Sequence, residues 1–172
     1  MYNKRAQTGF IGEYFIYSEL IKNNKNCFIT LGNAKSVDLI IIDNKKKAHF
    51  VDVKSTRTEM KNLHKHATYR DEMGKLGRWQ LHVSNFWNTH KNNPNRISYD
   101  FADYYIFHNV NKPQQNTILS GKELVNVIHR RIDNYLVQNK VSELKKEHIC
   151  NWEFCDLCFS ETLNYNEWSK LP

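Results

Sequence analysis

Two short segments of this chain place acidic side chains where a folded protein needs a reason to hold them. Asp38 interrupts an otherwise apolar run over residues 37–42, and Asp52 lies two positions before Lys54 at the end of another apolar run. A buried carboxylate is costly unless it is paired or bound to a metal ion. Two neighbouring carboxylates repel each other unless a cation lies between them. The pattern therefore indicates a site for a hard divalent cation such as Mg²⁺, which prefers oxygen ligands.

Metal-assisted hydrolysis is the chemistry expected of such a set. Mg²⁺ retains water molecules, and one of them would act as the nucleophile. Lys54 would stabilise the charge that develops at a phosphate, or orient and deprotonate the water, and Glu13 would add a third carboxylate. The alternatives are an ordinary surface ion pair between Asp52 and Lys54, and a favourable charge for Glu13 near a helix N-terminus.

Hydrophobic periodicity predicts the elements that position these side chains. Apolar residues at helical spacing predict a first helix that carries Glu13, with Gly12 allowing a close approach by backbone or ligand. Its predicted apolar side is Phe10, Ile11, Phe15, Ile16, Leu20 and Ile21. Three apolar runs then predict strands, the last two joined into a hairpin by a polar turn. The predicted bounds are 7–23 for the helix and 27–31, 36–43 and 48–54 for the strands.

Pairing of the second and third strands would bring the acidic residues together. Side chains alternate across a strand, so Asp52 and Lys54 share one face, and Asp38 on the neighbouring strand approaches Asp52. Further strands are predicted over residues 79–84, 104–108 and 116–119, and a helix opens at Ser120 and runs to about residue 139. This order describes an α/β fold with a mixed central sheet flanked by helices.

The ordered set of Gly12-Glu13, Val37-Asp38-Leu39 and Asp52-Val53-Lys54 resembles the PD-(D/E)XK nuclease superfamily. The resemblance covers roughly residues 7–136 and includes the segments 54–57, 101–107 and 118–124. It implies a restriction-endonuclease-like αβββαβ core. The chain departs from the family pattern in having valine before Asp38 where the superfamily's name has proline, and in a long segment after the third strand.

The resemblance also implies roles for individual residues. Asp38 and Asp52 would bind the metal ion, with the carbonyl of Val53 as a further ligand and Glu13 as an orienting or metal-linked acid. Lys54 would be the catalytic lysine. Gln80, on the polar side of the next predicted strand, is a further candidate to reach the phosphate or the water, and an exposed strand glutamine is the alternative.

A magnesium-dependent DNA endonuclease follows from this resemblance, with Mn²⁺ as a substitute metal and with 5′-phosphate and 3′-hydroxyl ends as products. A type II restriction enzyme acting as a homodimer is the simplest role, because cutting two strands calls for two sites. Holliday-junction resolvases, homing endonucleases and repair nucleases are alternatives within the superfamily. A non-catalytic nucleic-acid-binding module and a toxin or defence subunit that requires a partner are alternatives outside these roles.

The net charge of +7 and the pI of about 9.2 fit a polyanionic partner such as DNA. A modest positive charge that keeps the protein soluble is the alternative. Residues 57–98 are predicted to form a DNA-recognition insertion in which Trp79 stacks on bases. Its candidate phosphate contacts are Arg57, Lys61, Lys65, Arg70, Lys75 and Arg78.

Residues 1–140 are expected to form the nuclease domain, and residues 141–172 a C-terminal tail that packs on it. The tail contains one four-ligand set suited to Zn²⁺, although cysteines packed as small hydrophobic residues are the favoured alternative. That set is His148, Cys150, Cys155 and Cys158. The sequence has no apolar run of the ~18 residues that a membrane helix needs and no signal-peptide pattern, so the cytoplasm is the expected location.

Overall fold

A computed structural model of the chain describes residues 4–30, 37–57, 79–81, 102–114, 116–140, 142, 152–154 and 166–172. Its elements in chain order are α1 (Lys4–Lys22), β1 (Asn26–Ile29), β2 (Leu39–Ile42), β3 (Ala48–Thr56), β4 (Trp79–Leu81), β5 (Tyr104–Asn109), β6 (Asn116–Ser120), α2 (Gly121–Asn139), β7 (Trp152–Phe154) and a 3₁₀ turn (Trp168–Lys170).

Five strands form one mixed sheet in the order β1-β2-β3-β5-β6. β1, β2 and β3 form an antiparallel meander, and the predicted hairpin of β2 and β3 is confirmed. β5 lies parallel to β3 and antiparallel to β6. The α/β class with a mixed sheet is therefore confirmed. The αβββαβ order stays a prediction, because most residues between β3 and β5 lie outside the described part and α2 follows β6 instead.

Helix α1 covers the central strands with part of its predicted apolar side. Ile16 and Leu20 are fully buried and Gly12 is buried one turn earlier, so the buried positions repeat every four residues. Phe10 and Ile21, which were expected on the apolar side, are exposed to solvent. The helix is confirmed, and Ile16 and Leu20 lie on its buried side as predicted. Hydrophobicity alone also assigned solvent-facing residues to that side, and it could not indicate that the buried stripe begins at a glycine.

The core beneath α1 contains side chains from all five strands of the main sheet. Alternate residues of β3 and β5 face α1, whereas Tyr105 and Phe107 are buried on the other face of the sheet. The buried cluster comprises Ile16, Leu20, Cys27, Leu39, Ile41, Val51, Val53, Ile106, Ile118 and Leu171.

Helix α2 begins at the predicted residue and has a complete capping box. The Ser120 hydroxyl accepts a hydrogen bond from the Glu123 amide at 3.3 Å, and the Glu123 carboxylate accepts one from the Ser120 amide at 2.7 Å. The helix ends at Lys140, which adopts a left-handed conformation with φ of 52°. Among the described residues, no helix combines the length and apolarity that crossing a bilayer requires.

The described C-terminal residues are built into this core. Leu171 is 2% exposed and its carbonyl accepts a hydrogen bond from Lys25 Nζ at 2.6 Å. Lys170 Nζ lies 3.2 Å from the Glu123 carboxylate, at the start of α2. These contacts tie residues 166–172 to both helices.

A second, two-stranded sheet pairs β4 with β7. Trp79 at the start of β4 is buried, donates a hydrogen bond from Nε1 to the His108 carbonyl at 3.2 Å and packs edge-on against Phe107 at 5.6 Å. The expectation that Trp79 stacks on bases was therefore wrong, because its ring belongs to the packing of β4 against β5. The alternation of apolar and polar residues over 79–84, which predicts a half-buried strand with Trp79 on its apolar side, agrees with the burial of this ring.

Candidate active site

Asp38 directly precedes β2 and lies beside β3, at the end of the hairpin opposite its turn. The strand starts at Leu39, so Asp38 precedes it and does not interrupt it as predicted. Its amide donates to the Val51 carbonyl at 2.9 Å, and its carboxylate Oδ2 accepts the amide of Val53 at 2.7 Å. The backbone ladder ends at the pair of Leu39 and Val51. The Asp38 carboxylate thus supplies an acceptor two residues further along β3, and this contact fixes the side chain beside the strand that carries Asp52.

Asp52 and Lys54 lie on the same face of β3, as strand alternation predicts. Asp52 is 2% exposed, and Lys54 Nζ lies 2.6 Å from its Oδ1. Lys54 remains about one-third exposed. The pair is therefore not an ordinary surface ion pair, since its acidic member is buried and only its basic member reaches solvent.

Burial raises the pKa of Asp52 to about 6, even though the neighbouring Lys54 ammonium acts to lower it. The charge of Asp38 and a hydrogen bond with the Asp38 carboxyl raise this pKa further. The two carboxyl groups are thus close enough to share a proton. A site that favours a proton between two carboxyls also favours a cation in the same place.

Glu13 on α1 belongs to the same electrostatic environment. Its pKa is raised, first by partial burial and then by the negative charges of Asp38 and Asp52, while Lys54 acts to lower it. Four residues that are distant in sequence therefore act on one another through space: Glu13, Asp38, Asp52 and Lys54.

The carboxylates of this site suit a hard divalent cation, and one buried oxygen, Oδ1 of Asp52, is the reason. The Asp52 Oδ1 atom has no hydrogen-bond donor in good geometry among the described residues, and its contact with Lys54 meets the ion-pair distance but not hydrogen-bond angles. Carboxylate oxygens are the ligands that Mg²⁺ prefers. Within the described ranges, no three His, Cys, Asp or Glu side chains are arranged to hold a metal ion. The available centre is therefore the pair of Asp38 and Asp52, with Glu13 nearby.

Val53 and Gln80 were proposed as further members of the site. The Val53 amide contacts Asp38, and the role of its carbonyl stays a prediction. Gln80 lies on β4, opposite Glu153 of β7, and not on a strand of the five-stranded sheet. The strand that follows β3 in the order of the sheet is β5, not β4. The sequence could not indicate this, because a long segment separates β3 from β5. A role for Gln80 therefore stays a prediction.

The predicted DNA contacts fall mostly outside the described residues. Arg57 is described: it is exposed at the end of β3, and its carbonyl accepts a hydrogen bond from Asn111 Nδ2 at 2.8 Å. The others, which lie outside the described part, are Lys61, Lys65, Arg70, Lys75 and Arg78. The proposed zinc ligands His148, Cys150, Cys155 and Cys158 also lie outside it. Zinc binding stays a prediction.

Two residues near the site carried no usable signal in the sequence. Ser55 and His108 lie opposite each other in the parallel pair of β3 and β5. The His108 ring stacks on Phe15 of α1, with ring centroids 4.6 Å apart, and its Nδ1 lies 2.7 Å from Asn116 Oδ1. Burial lowers the pKa of His108 despite this hydrogen bond. The neutral imidazole of His108 therefore belongs to the surface of the sheet on which α1, the helix of Glu13, packs.

No family model and no curated protein matches this chain. A solved structure that is similar to it is that of a bacterial homing endonuclease, I-Ssp6803I. The two chains are 14% identical with a TM-score of 0.44, over 69% of this chain and 70% of the other. A likeness of this extent carries no argument about activity, so the function of this chain depends on its own residues.

Proposed function

We propose that this protein is a Mg²⁺-dependent endonuclease that hydrolyses phosphodiester bonds in DNA through a PD-(D/E)XK-type centre. The observation that carries the proposal is a buried carboxyl group, that of Asp52, which lies between the half-buried Asp38 and a partly exposed lysine. Asp52 is 2% exposed, has a pKa raised to about 6 and lies 2.6 Å from Lys54 Nζ. Burying an ionisable pair in this way costs stability, and such costs are typical of catalytic sites.

The chain's own residues divide the chemistry between them. Asp38 and Asp52 would hold the metal ion through carboxylate oxygens. When bound, Mg²⁺ supplies positive charge next to the scissile phosphate and lowers the pKa of water. Lys54 reaches from the buried carboxylate towards solvent, so its ammonium donates to the negative charge that builds up on the phosphate. Glu13, whose pKa is raised by partial burial and then by the nearby carboxylates, orients groups from the α1 side.

DNA as the substrate is supported by charge. The chain carries a net charge of +7, and the turn between β2 and β3 exposes three consecutive lysines, Lys45, Lys46 and Lys47. Cations that neutralise phosphates release counterions and so favour binding to DNA. Cutting both strands with one centre per chain would favour a homodimer, which sedimentation of the protein with and without DNA measures.

A non-catalytic nucleic-acid-binding module is the second candidate, and one observation favours it. No set of three metal-binding side chains is found within the described residues. A binding module would retain the basic surface without needing the acidic pair to work. The following experiment separates the two candidates.

The test is cleavage of a panel of plasmid, phage and four-way-junction DNA with Mg²⁺, Mn²⁺ or EDTA. The informative variants are Asp52→Ala and Lys54→Ala. The matched control is Lys22→Ala, because Lys22 also pairs with a carboxylate, that of Glu19 at 2.7 Å, but on the exposed surface of α1. Loss of a group that stabilises the transition state reduces kcat by about 100- to 1,000-fold. The control should retain activity.

Each pattern of products has a separate meaning. Discrete plasmid and phage fragments that vanish with EDTA and in both variants indicate a sequence-specific enzyme of the restriction or homing type. Cleavage confined to four-way junctions indicates a resolvase. Absence of cleavage with any metal, together with salt-sensitive DNA binding that both variants retain, would exclude catalysis by this chain alone and support the binding module.

A further inference from the structure

The approach of α1 to β3 is controlled by a single pair of small residues. A Cβ atom added to Gly12 would lie 1.7 Å from Ser55 Oγ and 2.7 Å from Ser55 Cβ, both well inside the 3.4 Å at which ordinary contact begins. It would also lie 3.2 Å from Cδ2 of His108. The helix therefore rests on β3 at a distance that only glycine permits.

The same contact lies next to a candidate catalytic residue. Glu13 follows Gly12 on the helix, and Ser55 follows Lys54 on the strand. One residue beyond Ser55, β3 ends. The distance between Gly12 and Ser55 thus sets the distance between the element that carries Glu13 and the element that carries Asp52 and Lys54.

A second contact holds the helix in register one turn further on. Phe15 stacks on His108 with an interplanar angle of 16°. His108 is buried and is held from below by Asn116, whose Nδ2 in turn donates to Asn166 Oδ1 at 2.8 Å. The ring of Phe15 fixes the helix laterally, whereas Gly12 fixes its height above the sheet.

We propose that Gly12 and Ser55 are positioning residues, whose contact places Glu13 against the acidic pair of Asp38 and Asp52. The inference rests on the proposed nuclease function and assigns to it a determinant outside the metal-binding side chains. Neither residue touches the reacting atoms. Both act through the distance between α1 and β3.

Gly12→Ala is the primary test. The new methyl group falls about 0.7 Å short of the 3.4 Å contact distance to Ser55 Cβ, so α1 must move away from β3. Displacing a catalytic group by about 1 Å costs on the order of 100-fold in rate. The matched control is Gly9→Ala, one turn earlier, where the nearest atom, Glu13 Oε1, is at an ordinary 3.6 Å.

Rescue from the opposite side of the contact separates positioning from general damage. In the Gly12→Ala background, Ser55→Ala removes the 1.7 Å overlap and leaves the 2.7 Å one, whereas Ser55→Gly removes both. Activity should therefore return in two steps, to within a few-fold of wild type with Ser55→Gly. The Mn²⁺ concentration for half-maximal cleavage should rise in Gly12→Ala and fall back in the same order. A variant whose stability recovers while its metal dependence does not would overturn the proposal.

If Gly12→Ala does not fold, the single variant Ser55→Gly tests the same proposal. It removes the atoms on which α1 rests without creating an overlap, and it should lower kcat/KM by about tenfold through a less well-placed Glu13. Wild-type kcat/KM in Ser55→Gly would overturn the proposal.

Crystal structures make the outcome independent of cleavage. If the wild type cuts no DNA, the proposed function fails, but the position of Glu13 can still be compared across variants. Displacement of Glu13 relative to Asp52 in Gly12→Ala, and its return in the Gly12→Ala/Ser55→Gly variant, supports the positioning role. An unchanged distance between α1 and β3 in Gly12→Ala overturns it.

Discussion

Replacing Asp52 with asparagine is expected to stabilise the metal-free protein at neutral pH. The carboxyl group is 2% exposed and interacts with the charge of Asp38, so its ionised form is disfavoured in the folded protein. Asparagine has a similar shape and no charge to bury. A residue that a fold needs for stability would behave in the opposite way, and this makes the substitution informative about function.

The magnitude follows from the raised pKa. Folding moves the pKa of Asp52 from 3.8 to about 6, and each unit corresponds to about 1.4 kcal/mol, so the ionised group costs about 3 kcal/mol. Between these two values the folded protein binds more protons than the unfolded one. The free energy of unfolding therefore falls as pH rises through this window, and the full cost is present above pH 6. The pKa of about 6 already includes the attraction to Lys54, so the cost is a net one, and asparagine is expected to gain about 1–3 kcal/mol at pH 7.5.

Urea unfolding in EDTA at pH 4 and pH 7.5 measures this difference. The matched control is Asp43→Asn, on the turn between β2 and β3. The pKa of Asp43 is lowered, first by its hydrogen bond with His49 and next by that with the Lys47 amide. Its ionised form therefore contributes stability that is present above the unfolded pKa and lost as pH falls. The two Asp→Asn substitutions should have opposite signs at pH 7.5.

Addition of Mg²⁺ completes the experiment. The wild type should gain stability with Mg²⁺ in proportion to RT ln(1 + [Mg²⁺]/Kd), whereas Asp52→Asn should gain much less. Equal destabilisation by Asp52→Asn at both pH values, with no loss of the Mg²⁺ effect, would show that this carboxyl is an ordinary structural ion-pair partner. That result would refute both the electrostatic reasoning and the metal site.

Three further outcomes are expected. Ser55→Ala should raise the free energy of unfolding by about 1 kcal/mol in urea, because its buried hydroxyl has no hydrogen-bond partner among the described residues; a loss of similar size would reveal a partner. Leu171→Ala should lower it by about 2–5 kcal/mol, because the side chain lies in the main core; an unchanged melting temperature would contradict this packing. Mg²⁺ binding should weaken below pH 6 and release protons, because Asp52, whose pKa is raised to about 6, holds a proton there; calorimetry in two buffers of different ionisation enthalpy detects that release, and identical heats would argue against it.

Local sequence patterns predicted the elements around the site well. The capping box at Ser120, the hairpin of β2 and β3 and the shared face of Asp52 and Lys54 all follow from periodicity or from residues a few positions apart. The approach of Asp38 to Asp52 followed from antiparallel pairing of neighbouring strands. These features depend on contacts between residues that are close together in the sequence, so the local pattern of residue types is enough to predict their geometry.

Features that depend on distant segments were not predictable in the same way. The parallel pairing of β3 with β5 spans a segment of about 50 residues, and nothing in either strand specifies the other as its neighbour. The burial of Trp79 against β5 and the place of His108 beneath α1 depend on that pairing, and the contact between Gly12 and Ser55 depends on how α1 packs on β3. A glycine on a helix signals a close approach, but its partner is determined only once the strands are ordered in the sheet.

The contact of Leu171 with the core has a consequence for how the chain folds as it is synthesised. The hydrogen bond from Lys25 to its carbonyl closes a loop of 146 residues, and Leu171 shares a cluster with Ile16 and Leu20 of the first helix. At roughly 5–20 residues per second, a ribosome needs roughly 7–30 s to reach this residue after α1 has been made. During that interval the apolar face of α1 lacks one of its final neighbours and is open to chaperones or to other nascent chains. The core is therefore expected to be completed only after residue 171 has left the ribosome, and destabilising changes near residue 171 should lower the yield of folded protein in cells more than they lower its activity per molecule.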